Sequence, residues 1–174
     1  MKESIDRLML NYLSARQSWE CWCFTITSDP YNYETSSRKV FDDNPLLNEL
    51  RRITLKDVVI ELYKIIGESR FNEDNVFTVL KNFKSIRPDL NINIEEILAE
   101  YESNSEKIER IKAIRNKYFA HRDANFALYE NKQMPLSDFD DIFIMIENTL
   151  ILLTSKETVE QKLILLTSRN EYKI

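Results

Sequence analysis

Apolar positions along this chain recur mostly three and four residues apart, the spacing of one face of an α-helix. Between Ser4 and Thr25 the series is Ile5, Leu8, Met9, Tyr12, Leu13, Trp19 and Cys23. The pattern lapses from Asp29 to Asn44, a polar, tyrosine-rich stretch containing Pro30. It predicts a loop excursion over 28–44, long enough to touch a substrate or partner. Asn44-Pro45 is a strong helix start, with Asn as N-cap and Pro at the first helical position. Leu46, Leu47, Leu50, Ile53, Val58, Leu62 and Ile65 carry this helix to Gly67. A shorter helix is predicted from Asn75 to Phe83, ended before Pro88. Asn93 and Glu96 have capping-box spacing and open a long helix to about Ala120. Ser103 and Glu106 repeat that spacing, so a kink or break is expected near Ser103. Ser137 and Asp140, after Pro135, start a helix through Leu153, and a last helix covers Glu157 to Leu166 within a C-terminal segment 157–174. With no internal repeat or domain boundary, the expectation is all-α: one domain over 1–174, an up-and-down bundle of about five to six helices.

Composition supports that class. The 174 residues contain one Gly and four Pro, whereas turn-rich β folds need many of both. Hydrophobic residues make up 43%, enough for a core. The net charge of −5 argues against a generic nucleic-acid coat protein, which would be basic overall. It leaves room for a local basic cleft. Cys21 and Cys23, about 200° apart on a helix, are not placed to pair. Two free thiols suit a reducing cytoplasm. No signal-peptide core and no apolar run of membrane-spanning length is visible, so a soluble cytoplasmic protein without membrane contact is expected.

One position conflicts with the pattern. On the long helix Ile97, Tyr101, Ile108, Ile111, Tyr118 and Phe119 share a stripe, and Arg115 falls in the middle of it. A guanidinium in an apolar stripe marks either a functional position or an arginine whose stem packs while its head reaches water. His121, the sole histidine, lies about 120° round the wheel from Arg115 if the helix persists. One helix face does not unite them; a long Arg reach, a helix end before His121 or a second copy of the helix is required. A histidine near a helix C-terminus also has a plain electrostatic use, favourable interaction with the helix dipole. Lys107, Arg110, Lys112, Arg115, Lys117 and Arg122 crowd this helix of an acidic protein. They read either as a solvated face or as a phosphate-attracting cleft.

The string Ile114-Arg115-Asn116-Lys117-Tyr118-Phe119-Ala120-His121-Arg122-Asp123 resembles the signature of the HEPN superfamily: Arg-Asn, four residues, then His, late in a helix of an all-helical domain. It is most similar to the HEPN branch of bacterial abortive-infection type U proteins, and the segment Leu55 to Phe83 fits that branch too. The resemblance implies a helical bundle that dimerises around the motif helices, often a metal-independent ribonuclease acting as a toxin or phage-defence effector. It makes Arg115 and His121 the catalytic pair and Asn116 a supporting polar residue. Lys112, Lys117, Tyr118 and Arg122 are the accompanying candidates for substrate binding. Some relatives carry a Tyr two places after the His, the target of a partner nucleotidyltransferase; here that place is Asp123, which puts that regulation in doubt.

The implied chemistry is attack by an RNA 2′-hydroxyl on the adjacent phosphate, which needs a base, an acid and positive charge on the phosphorane. Histidine suits either proton role, and arginine supplies forked donors to phosphate oxygens. With one His per chain, two imidazoles require two chains, and a symmetric dimer would place them around one cleft. RNA, a second copy and a cognate antitoxin are the expected partners. No cofactor is expected, and one His with two Cys makes no zinc set; Asp138, Asp140 and Asp141 read as helix-start acids. Tyr12, Trp19 and Trp22 read as core, whereas Tyr31, Tyr33 and Phe41 are open to base stacking or to packing on the bundle. Two other functions remain open: a non-catalytic module that binds RNA or a nucleotide, and a helical protein-interaction dimer.

Overall fold

A computed structural model describes residues 1–27, 36–67, 74–116 and 135–171, with side chains of the last helix to 165. Among the described residues every regular element is helical. In chain order they are α1 (Lys2–Ile26), α2 (Ser37–Asp43), α3 (Pro45–Ile66), α4 (Val76–Ile86), α5 (Asn91–Ser103), α6 (Ser105–Ile114), α7 (Leu136–Leu153) and α8 (Lys156–Glu171). A single 3-10 turn, Pro88–Leu90, joins α4 to α5. The fold is all-α, as the pattern predicts, with eight helices among the described residues where five or six were expected.

The additional helices have local causes. The expected loop excursion over 28–44 contains α2, which buries none of its own residues and so leaves no core-facing apolar stripe to read. Ser36 caps it by accepting from the Lys39 amide, and Ser37 Oγ donates to the Phe24 and Thr27 carbonyls at 2.7 and 3.0 Å. Arg51 on α3 then ties three segments together. It donates to the Thr25 and Arg38 carbonyls at 2.8 and 3.2 Å, pairs with Asp42 at 2.6 Å and covers the Phe41 ring. Phe41 thus packs against the bundle; Tyr31 and Tyr33 lie outside the described residues.

The predicted long helix breaks at Asn104 into α5 and α6. Ser103 Oγ and Asn104 Nδ2 both donate to the Glu100 carbonyl, at 2.8 and 3.0 Å. Polar side chains competing for helix carbonyls in this way end the regular ladder. The two predicted capping boxes do not start these helices. The α5 helix begins at Asn91 behind Leu90, and neither it nor α6 has a side-chain cap. At α7, Ser137 lies inside the first turn, behind an N-cap Pro135. Besides Ser36 at α2, side-chain caps form at Asn44, whose Oδ1 accepts from the Leu46 and Leu47 amides, at Asn75, which accepts from Thr78, and at Ser155, which accepts from Thr158.

The core forms around α7, which packs against α1, α4, α5, α6 and α8. It buries Phe139, Ile142, Phe143, Met145, Ile146, Leu150 and Leu153. Facing it are Leu8, Tyr12 and Trp19 of α1, Ile94 and Tyr101 of α5, and Ile108 and Ile111 of α6. Trp19 stacks on Trp22 at 5.2 Å and on Phe139 at 4.7 Å, so these aromatics are core, as their helical spacing predicts. The α3 stripe is buried only in its second half. Val58, Val59, Leu62, Ile65 and Ile66 are enclosed, while Leu46, Leu50 and Ile53 remain exposed.

Candidate functional site

The site is assembled where the end of α6 lies over the end of α3. Ile108 and Ile111 anchor one face of α6 in the core, with Tyr101 continuing that stripe on α5. One turn beyond Ile111 the stripe reaches Arg115, half-buried, as the wheel places it. The helix changes character at this point. The Arg115 amide donates to both the Ile111 and Lys112 carbonyls, and Arg115 and Asn116 adopt a π-helical turn. Such turns are rare and frequent at functional sites.

The Arg115 guanidinium is held by two neutral groups. Its carbon lies 4.7 Å from the centre of the Tyr63 ring on α3. Its Nη1 donates to Asn116 Oδ1 at 2.9 Å. The other cations of α6 are held differently. Lys107 Nζ donates to Asp141 Oδ2 and Asn104 Oδ1 at 2.6 and 2.7 Å. Arg110 pairs with the buried Asp138 at 2.7 Å, and Lys112 with Glu109 on its own helix at 2.8 Å. Asp138 and Asp141 therefore do more than cap α7; they clamp it to α6. Arg115 has no carboxylate partner among the described residues. Of the basic row read from the sequence, it is the described member that no described carboxylate compensates.

His121, Lys117, Tyr118 and Arg122 lie outside the described residues. The structure thus brings together Arg115, Asn116 and the neighbouring Lys112, and adds Tyr63, which sequence reasoning missed. Tyr63 sits at an ordinary helical position, and no periodicity connects residues 63 and 115. Gly67 just after it is the one local signal: a lone glycine that closes α3. Among the described residues no group of three or more His, Cys, Asp or Glu side chains is arranged to hold a metal ion. Cys21 and Cys23 are free thiols. Burial, aided by Asp140, pushes the Cys23 thiol up from its ordinary value, the opposite of what an activated nucleophile needs.

This geometry sets an exposed-headed arginine, an adjacent asparagine and an irregular helix end at the head of the Arg-Asn-to-His string. The family model described as AbiU2, a HEPN model, matches residues 2–153. The chain belongs to the AbiU2 family of HEPN domains. The match takes in α1 through α7 and leaves α8 beyond it. No curated protein and no solved structure matches the chain. Within the described residues of this HEPN domain, no helix is long and apolar enough to cross a membrane.

Proposed function

We propose that this HEPN domain is a metal-independent endoribonuclease, acting in the cytoplasm as a toxin or phage-defence effector. The observation that carries the reading is Arg115, a half-buried cation fixed by an aromatic ring and an amide rather than a carboxylate. Its neighbours Lys107, Arg110 and Lys112 each have an acidic partner. A guanidinium held in place but not neutralised is what an anionic ligand needs, because the fork of donors fits phosphate oxygens.

In this reading RNA is the substrate. The 2′-hydroxyl of one nucleotide attacks the adjacent phosphate, with His121 taking its proton. The 5′-oxygen of the next nucleotide leaves and receives a proton from the second imidazole of a symmetric dimer. Arg115 binds the non-bridging oxygens as charge grows on them, and Asn116 fixes Arg115. Lys117, Tyr118 and Arg122 contact the strand beside the scissile bond. Lys112 joins them by exchanging its weak surface pairing with Glu109 for a phosphate. A cognate antitoxin restrains the activity.

The test is incubation of labelled RNA with the purified protein in EDTA. The expected outcome is cleavage leaving a 2′,3′-cyclic phosphate, abolished by Arg115→Ala and by His121→Ala with helical circular dichroism unchanged. Full activity in His121→Ala sinks the mechanism. RNA binding without cleavage, weakened by Arg115→Ala, would instead make the domain a binding module. A change of oligomeric state in Arg115→Ala with no RNA effect would make the site an interaction surface.

A further inference from the structure

Tyr63 belongs to no motif, yet it forms the floor of the site. Its position depends on two features of the end of α3. The Gly67 amide donates to the Tyr63 carbonyl at 2.8 Å, closing the last turn. A Cβ placed on Gly67 would fall 2.4 Å from that carbonyl oxygen and 3.0 Å from Cε2 of the ring. Gly67 has φ of −81°, open to any residue, so the requirement for glycine is one of space. The absent side chain lets the Tyr63 ring lie across the helix end, where Arg115 of α6 stacks on it.

We infer that Tyr63 is a positioning residue for Arg115, with Gly67 as its seat: the ring face holds the guanidinium at the end of α6 without neutralising it. This rests on the proposed reading of Arg115 as the phosphate-binding cation and adds how that cation is held ready. A carboxylate in place of the ring would fix the arginine equally well but would compete with the phosphate for its charge. The ring quadrupole attracts a cation and leaves the forked N–H donors free at the edge of the guanidinium. Among the described residues Asn116 Oδ1 engages Nη1 alone, and no other described residue takes the remaining donors. The chemical class served is a phosphodiester whose oxygens gain charge during reaction, so the loss should fall on turnover rather than on binding.

The experiment uses the full chain and two readouts. The first is the NMR resonance of the Arg115 Nε–Hε group: with Cζ 4.7 Å from the centre of the Tyr63 ring, it is expected upfield of an exposed arginine. That shift should persist in Tyr63→Phe and vanish in Tyr63→Leu. The second is cleavage kinetics: Tyr63→Leu should lose about tenfold to a hundredfold in kcat, the scale of a small misplacement, with KM little changed and activity restored in Tyr63→Phe. Gly67→Ala, which must displace the Tyr63 carbonyl and with it the ring, should change both readouts in the same direction. Replacing Tyr63 by progressively fluorinated phenylalanines keeps the shape while weakening the ring face, and should lower kcat step by step. This series covers the case in which Tyr63→Leu fails to fold. The inference is overturned if the Arg115 resonance is unshifted in the wild type, or if kcat ignores fluorination. If the wild type shows the shifted resonance but cuts no RNA, the ribonuclease reading fails while the Tyr63–Arg115 arrangement stands.

Discussion

Arg115 was legible in the sequence because it breaks a pattern: a cation where the helical period calls for an apolar side chain. What holds it was not legible. Tyr63 reads as one more position along α3, and only the packing of α6 on α3 brings the two together. Two other tyrosines show the reverse case, in which pattern alone places them in the core. Tyr12 is fully enclosed and donates to Glu147 Oε2 at 2.8 Å, and Tyr101 shares a hydrogen bond with Thr149 at 3.1 Å. Burial is the main cause that pushes both phenols well above their ordinary value, and Glu147 raises Tyr12 further. A group whose pKa is higher folded than unfolded lends stability that is fully present below the unfolded value, about 10 for tyrosine, and fades above it. Chemical denaturation between about pH 8 and pH 11 should therefore show stability falling as pH passes about 10. The fall should be shallower in Tyr12→Phe and in Tyr101→Phe. An equal slope in all three proteins would contradict the assignment.

At the scale of elements, helices that bury a full stripe were the readable ones. The α4 helix, with Val76, Val79, Leu80 and Phe83 enclosed, and α7 both follow their periodicity, and Asn44-Pro45 marks the start of α3 as expected. The α2 helix escaped because its hold on the molecule is polar. It consists of a Ser36 cap, the Ser37 hydroxyl and the Arg51 clamp, none of which has a sequence period. Arg51 is only 16% exposed and bonds to the end of α1 and to α2 at once, so its loss should be felt well beyond the usual surface pair. Arg51→Ala should cost about 2 kcal/mol, the scale of a hydrogen bond to a charged group with its partners left behind. It should also raise amide exchange selectively in α2. Unchanged exchange in α2 would show that the clamp does not hold it. The break at Asn104 was expected near Ser103 from capping spacing, but its cause is competition for the Glu100 carbonyl, not a new cap.

At the scale of the molecule, fold class and family were both readable, because a bundle is written in period and composition and the Arg-Asn-to-His string is local. How the parts of the site meet was less readable. Two ion pairs, Lys107–Asp141 and Arg110–Asp138, fix α6 to α7 and hence fix the place of Arg115 at the end of α6. Both couple residues about thirty positions apart, and the sequence alone offered only a helix-start role for those acids. His121 lies outside the described residues. The proposal of a site shared between two chains therefore rests on chemistry: one histidine per chain, and a reaction that uses one proton acceptor and one proton donor. That sharing can be measured by co-expressing wild-type and His121→Ala chains with different tags, isolating the mixed dimer by both tags and assaying RNA cleavage in EDTA. The mixed dimer keeps one imidazole where the reaction uses two, so it should be nearly as silent as the His121→Ala dimer while the wild type is active. A mixed dimer that keeps about half of the wild-type rate would contradict a shared site.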